Sequence, residues 1–440
     1  MKKYLVFAAT VIMLTGCGKV IKEEKNLSVP NSTAETVRES APTAGEDSAE
    51  VTVTTTAAPV TTTAAATTTT AEKKEDRSEE ITLTYLNTAE VYSKLTVGEL
   101  VTETNAEILN GDELVDTDEL GSKELAIKLG YEGGEYEKTA VYTVADTTAP
   151  TVLNVEDNIT LAVGSYFDPD EHISYGDNYD PLPTLSWSGT VDTETVGSYP
   201  IVLSITDASG NQTDRTATVF VSDYVPSYTD DLVRIPFEDF TAQYAGDGRS
   251  FGIDISRWQG AVDFEAVKNA GCSFVILRIG YSTGGGAQPD EWFETNYANA
   301  KAAGLRVGVY FYSEDTDEEM LRANARWIAE TLNSEALDFP VAFDWEDFAR
   351  YQKYGMSIHA LNQLYEDFSQ ELESLGYSSM LYGSKNFMEL FWENRNHRPV
   401  WVAHYVDETT YEGDYIMWQR CGWGRIDGIN GDVDLDILYE

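Results

Sequence analysis

Between Phe251 and Glu440 the chain repeats one device: a short apolar run that reads as a strand. The runs are FGIDIS (251–256), FVILRIG (274–280), RVGVYFYS (306–313), PVAFDW (340–345), SSMLYGS (378–384), PVWVAHY (399–405), YIMWQR (415–420) and DVDLDILY (432–439). Among the early ones lie DEEMLRANARWIAETLN and SIHALNQLYEDFSQELESLG, with apolar residues at helical spacing. Strand and helix in alternation imply a parallel sheet, and about eight strands joined by right-handed crossovers close most simply as a barrel. The last strands lack long helices between them, so an irregular (β/α) TIM-like barrel is expected over residues 250–440.

One strand ends unusually. In PVAFDWEDF (340–348), Asp344 and Glu346 stand two apart at the end of an apolar run. Side chains two apart on an extended backbone share a face, so both acids aim at one place. Asp347 diverges from them and is expected to face solvent. Reactive groups of barrels sit at the carboxyl ends of strands. Asp254 is near the end of the first run, and Asp434 lies within the eighth. The first and eighth strands are neighbours in a closed barrel and the fourth stands across, so the four acids are expected to surround one cleft.

Two carboxyl groups in unlike environments divide acid and base work, which is how glycosidic bonds are cut. Aromatic residues near strand ends fit a sugar site: Tyr310 and Tyr312 share a strand face, and Trp258, Trp401, Tyr405 and Trp418 lie near other ends. Other chemistries find no residues. STGGGAQ precedes no phosphate-cradling helix with Lys and a hydroxyl, HExxH and G-x-S-x-G are absent, and DVDLDI has Ile437 where a calcium loop needs glycine. No metal and no cofactor is expected.

FGIDISRWQG, PVAFDWE, VWVAHY, MWQ and the terminal DVDLDILY resemble, in order and spacing, the successive motifs of glycoside hydrolase family 25, the lysozymes or N-acetylmuramidases of phages and bacteria. The resemblance implies cleavage of the β-1,4 bond between N-acetylmuramic acid and N-acetylglucosamine, with peptidoglycan glycan strands as partner. Glu346 carries over as general acid and Asp344 as the group that orients or stabilises charge. Asp254 and Asp434 complete the acidic cleft. Arg278, Tyr310, Tyr312, Trp401, Tyr405, Trp418 and Gln419 contact sugar or hold the acids. Asp436 stands where family members often have asparagine. The expected reaction is retaining, with attack either by the substrate's 2-acetamido group or by a carboxylate, Asp254 or Asp434. A catalytically silent wall-binding protein is the alternative of another class, and a chitin-type hydrolase a third.

The amino-terminal half is different. MKKYLVFAATVIMLTGCGK reads as an export signal, and its LTGC resembles a lipoprotein lipobox, so residues 1–17 are expected to end in a lipidated Cys17 that is the sole membrane contact. Residues 18–80, rich in threonine and alanine, read as a disordered tether that spans about 45 Å. The location is then extracytoplasmic, facing the wall. LGSKELAIKLGYEGGEYEKTAVYTVAD and VGSYPIVLSITDASGNQTDRTATVFVSD each read as strand, glycine-containing turn, strand. They resemble bacterial immunoglobulin-like modules, so two all-β sandwiches are expected at 81–146 and 147–223, with a linker at 224–249. Their expected role is spacing, with glycan stacking on Tyr175 and Tyr179 as the alternative. The acidic run FDPDEHISYGDNYD reads as a solvated loop. A formal charge of −45 argues against nucleic acid. Cys272 reads as a small buried hydrophobe, and the sequence assigns no oligomeric state.

Overall fold

The computed structural model describes residues 76–155, 158–224, 232–393 and 398–440. The expected export signal, Cys17 and nearly all of the expected tether lie outside the described residues. None of the described helices is long and apolar enough to cross a membrane.

Eight strands close a barrel: β1 (Arg249–Ile255), β2 (Phe274–Ser282), β3 (Arg306–Ser313), β4 (Val341–Trp345), β5 (Ser379–Ser384), β6 (Val400–Ala403), β7 (Met417–Arg425) and β8 (Val433–Tyr439). From β1 to β7 each strand pairs with the next in parallel. β8 runs antiparallel to both β7 and β1 and closes the ring. The fully parallel expectation fails here for a physical reason. Only residues 426–432 join β7 to β8, and a parallel crossover needs a dozen or more.

Helices Phe264–Asn269, Phe293–Ala303, Glu318–Leu332, Ile358–Ser374 and Lys385–Leu390 follow the first five strands. Asp317 and Ser357 cap the two longest, accepting from the N–H of Met320 and Ala360 at 3.0 and 3.1 Å. Strand alternation divides the apolar residues into two layers. Val275, Leu277 and Ile279 join a core shared with the helices, and Phe274, Ile276, Tyr310, Met380 and Trp401 fill the barrel interior. Of the expected linker, residues 225–231 lie outside the described residues, and residues 235–244 are part of this body. Ile235–Pro236 pairs with β7, and the helix Phe237–Tyr244 buries Phe237 and Phe240 in the outer core.

Two β modules precede the barrel. In the first, strands Gly121–Tyr131 and Gly134–Ala145 form a hairpin whose turn residues, Glu132 and Gly133, both take positive φ, as the tight turn of a twisted hairpin requires. This hairpin belongs to a four-stranded sheet, and Leu83–Tyr85 pairs with Val101–Thr104 in a second sheet. In the second module, Gly197–Thr206 pairs with Gln212–Ser222 within another four-stranded sheet, and Thr151–Val155 pairs with Ile173–Gly176. Ile201, Leu203 and Ile205 face its core, as their alternation predicts.

The second module is docked on the barrel. Ser174 Oγ accepts from the N–H of Tyr351 at 3.2 Å and donates to the Phe348 carbonyl. Gln352 Nε2 donates to the Ile173 carbonyl and to Asp170 Oδ1, both at 3.1 Å. Arg350 and Lys353 pair with Glu171 at 2.5 and 2.9 Å. Gly176 has no room for a Cβ, which would stand 2.8 Å from the Tyr351 ring. Leu153 joins the barrel's own core. In the first module, Tyr92 stacks on His359 of the barrel at 3.6 Å.

The aromatic residues proposed for glycan stacking are used otherwise. Tyr175 is buried and donates to Asp170 Oδ1 at 3.2 Å, and Tyr179 tilts against Tyr92 at 5.8 Å.

Candidate active site

β4 places Ala342 and Asp344 on the inner face, and Glu346 follows at its carboxyl end. Asp344 is buried and Glu346 half-buried at the mouth. From β1, Asp254 reaches the same interior, directly opposite Asp434 in the antiparallel ladder with β8. The reversed direction of β8 matters here. Asp434 stands near the start of its strand, and in a parallel strand that position would sit at the opposite end of the barrel from Glu346. Antiparallel β8 brings it to the carboxyl end of β1.

A hydrogen-bond chain holds Asp254. Gln419 Nε2 donates to Asp254 Oδ2 at 2.8 Å, and Gln419 Oε1 accepts from the hydroxyls of Tyr382 at 2.8 Å and Tyr405 at 2.7 Å. Asp436 is fully buried and accepts from the indole N–H of Trp401 at 2.9 Å. Arg278 pairs with Asp290 at 2.7 Å, two buried charges that neutralise one another.

Electrostatics follows from this crowding. Burial, then the charge of Asp436, pushes the carboxyl of Asp254 well above the ordinary range. Burial and the charges of Glu346 and Asp254 raise Asp344, against the opposing pull of Arg278. Burial, followed by the charge of Asp434, raises Asp436. The Glu346 carboxyl is pushed up to about 7 by burial. The site therefore gathers carboxyl groups that all titrate above the ordinary range, and Glu346 is the one at the open end.

The sequence-predicted sugar contacts divide. Tyr312 and Tyr405 are half-buried at the mouth, and Tyr312 donates to Glu314 at 2.7 Å. Tyr310 is buried within the barrel, edge-on to Trp401 at 6.4 Å. Trp401 is on the inner face but fully buried against Tyr382 at 4.5 Å, so it holds Asp436 rather than facing a ligand. Arg278, bound to Asp290, likewise acts on the acids. Trp418 is not in the cleft. It points outward, donates its N–H to the His404 carbonyl at 2.8 Å and packs edge-on against Tyr244 at 5.5 Å. Asp347 turns away from the cleft as expected, but it is half-buried and accepts from Tyr354 at 2.5 Å rather than facing solvent. Cys272 and Cys421 are buried and unbridged.

Residues 253–429 match the family model described as glycosyl hydrolases family 25, and residues 151–221 match the model of a bacterial surface protein Ig-like domain. The barrel is a family 25 glycosyl hydrolase domain. It is 31% identical over 194 residues to an autolytic lysozyme of Clostridium acetobutylicum, an alignment over 43% of this chain and 56% of that one. The chain thus spans little more than half the length of that relative. The uncharacterized protein YegX of Escherichia coli K12 is 26% identical over 230 residues, 50% of this chain and 79% of YegX. A solved family 25 glycosyl hydrolase from Bacillus anthracis aligns at 19% identity with a TM-score of 0.39, over 45% of this chain and 92% of that one.

Three residues of the family 25 domain escaped the sequence reading. Tyr382 shares the inner face of β5 with Met380, a parity visible in SSMLYGS once the strand is placed. Asp290 and Trp423 carry no local signal. Asp290 lies beyond β2, and Trp423 meets Tyr405 edge-on at 5.5 Å through a bulged stretch of β7. Gln419 is the hinge of the chain around Asp254. Gln419→Leu leaves the buried Tyr382 hydroxyl without its acceptor and takes one donor from Asp254, at about 1–3 kcal/mol for each. A fall of that size in urea-unfolding stability is expected, together with loss of turnover.

Proposed function

We propose that the barrel cleaves the β-1,4 bond between N-acetylmuramic acid and N-acetylglucosamine in peptidoglycan, with net retention, and that Glu346 is its general acid. One observation carries the reading: Glu346 stands half-buried at the barrel mouth beside a second carboxyl on the same strand face, and burial there pushes its carboxyl up to about 7. A proton donor works best when its pKa lies near the working pH.

In this mechanism Glu346 protonates the bridging oxygen as the bond to the anomeric carbon breaks. The carbonyl oxygen of the substrate's own 2-acetamido group attacks that carbon, and Asp344 steadies the positive charge that develops. Water then opens the cyclic intermediate, giving its proton to Glu346, and configuration is retained. Asp254, oriented by Gln419, and Asp434 keep the cleft acidic, and Tyr312 and Tyr405 offer ring faces to the pyranose. Residues 81–146 are read as a second immunoglobulin-like module and the barrel as an irregular TIM-like one. Lipid on Cys17 and the tether would present the folded part to the wall from the membrane surface.

Mass analysis of muropeptides released by the purified protein tests the bond assignment. New reducing ends are expected to be N-acetylmuramic acid; N-acetylglucosamine ends, or no release from wall that the protein binds, overturn it. The acid role has its own signature. Because Glu346 must be protonated, the rate is expected to fall about tenfold per pH unit above about 7.

A further inference from the structure

Away from the barrel mouth, three carboxylates meet. Asp146 follows the last strand of the first module, Asp177 follows Ile173–Gly176, and Asp207 opens the turn between Gly197–Thr206 and Gln212–Ser222. Their exposures are 6, 0 and 7%. An oxygen from each lies within 4.8 Å of the other two, and among the described residues this is the one such group of acidic, histidine or cysteine side chains.

The surroundings fix these groups without neutralising them. Asp177 Oδ1 accepts from the N–H of Tyr179 at 2.9 Å and of Asp180 at 2.7 Å. Asp207 accepts from the N–H and the side-chain amide of Asn211, both at 2.8 Å. That amide also donates to the Asp146 carbonyl at 3.2 Å, so the turn and the inter-module strand end are tied together. Ser209 and the N–H of Thr148 orient the Asp146 carboxylate, and Oδ2 of the fully buried Asp177 has no hydrogen-bond partner. Burying a carboxylate without a countercharge costs several kcal/mol in general, and three together repel one another as well. Oriented, dehydrated oxygens with unused lone pairs are what a hard cation binds.

We propose that Asp146, Asp177 and Asp207 bind one calcium ion that joins the two modules. The donor set is oxygen alone, which disfavours zinc and copper. Calcium accepts irregular oxygen shells, whereas magnesium demands a near-ideal octahedron. The same segment adjoins the barrel, since the Asp177 carbonyl accepts from the N–H of Ile358 at 2.7 Å. The ion therefore stiffens the place where both modules reach the catalytic domain. The expectation that FDPDEHISYGDNYD is solvated fails at Asp177, which is its most buried acid.

The test uses the full chain in detergent, stripped of metal with chelator and titrated with calcium chloride by calorimetry. One saturable calcium per chain and a rise in melting temperature are expected, with a smaller rise from the same concentration of magnesium chloride. Asp177→Asn with Asp207→Asn removes the buried repulsion, so this variant folds without the ion. It is expected to bind calcium at least tenfold more weakly and to melt at a calcium-independent temperature. Glu346→Gln, which alters the barrel cleft instead, is expected to keep the calcium isotherm. Absence of saturable binding by the unaltered chain, or equal binding by the double variant, overturns the proposal.

Discussion

Glu346→Gln is expected to lower release of muropeptides by about 10²–10⁴-fold, the usual contribution of a positioned proton donor. The amide has nearly the same shape, so Asp344 and the tyrosines at the mouth keep their places and the variant still binds wall. It cannot give a proton to the bridging oxygen. The substitution also removes one of the charges that raise Asp344, so the carboxyl of Asp344 should titrate lower than before. Muropeptide release and wall co-sedimentation, measured on the same preparations, separate the two effects. Lysis retained within a fewfold would remove Glu346 from the mechanism, and failure to bind wall would mean that the variant had lost its fold or its cleft.

Stability is expected to decline as pH rises from about 4 to 7. Asp254, Asp344, Asp436 and Glu346 all have raised carboxyl pKa values in the folded chain, with burial the leading cause in each. Between the ordinary carboxylate range and the folded value the native state holds the extra protons. Deprotonation therefore favours the unfolded chain, and the stabilisation present at acid pH is lost upward through the folded pKa, about 7 for Glu346. Asp436→Asn tests this directly. An amide in that position keeps an oxygen for the Trp401 N–H and supplies a donor beside Asp254 without a proton. The variant is expected to be more stable than the parent at pH 7.5 by on the order of 1–3 kcal/mol, and nearly equal at pH 4.5. Thermal unfolding of the barrel at the two pH values reads the difference, and an Asp436→Asn protein less stable at pH 7.5 would show that the buried carboxylate is compensated.

Much of the barrel was legible because its strands are apolar on both faces and separated by capped helices. RVGVYFYS, for example, is β3 from its first residue to its last. The acids were legible from the same regularity, since two-residue spacing on β4 fixes a shared face. Trp418 failed for neglect of that rule. Its neighbours Met417 and Gln419 point inward, so it had to point outward, and nearness to a strand end said nothing about direction. The direction of β8 depended on the length of one connection, and it decides which end of the barrel Asp434 reaches. Asp177 was hidden for a different reason: an acidic loop looks solvated until another domain covers it, and the covering residues are remote in sequence.

The docking of Ile173–Gly176 against residues 348–352 bears on how the barrel is held. The stretch that continues from Glu346 is gripped at its far side by backbone of the preceding domain, so the neck between them offers no pivot. The second module and the barrel are therefore expected to turn as one piece, with the barrel mouth held in a fixed direction relative to the module's sheets.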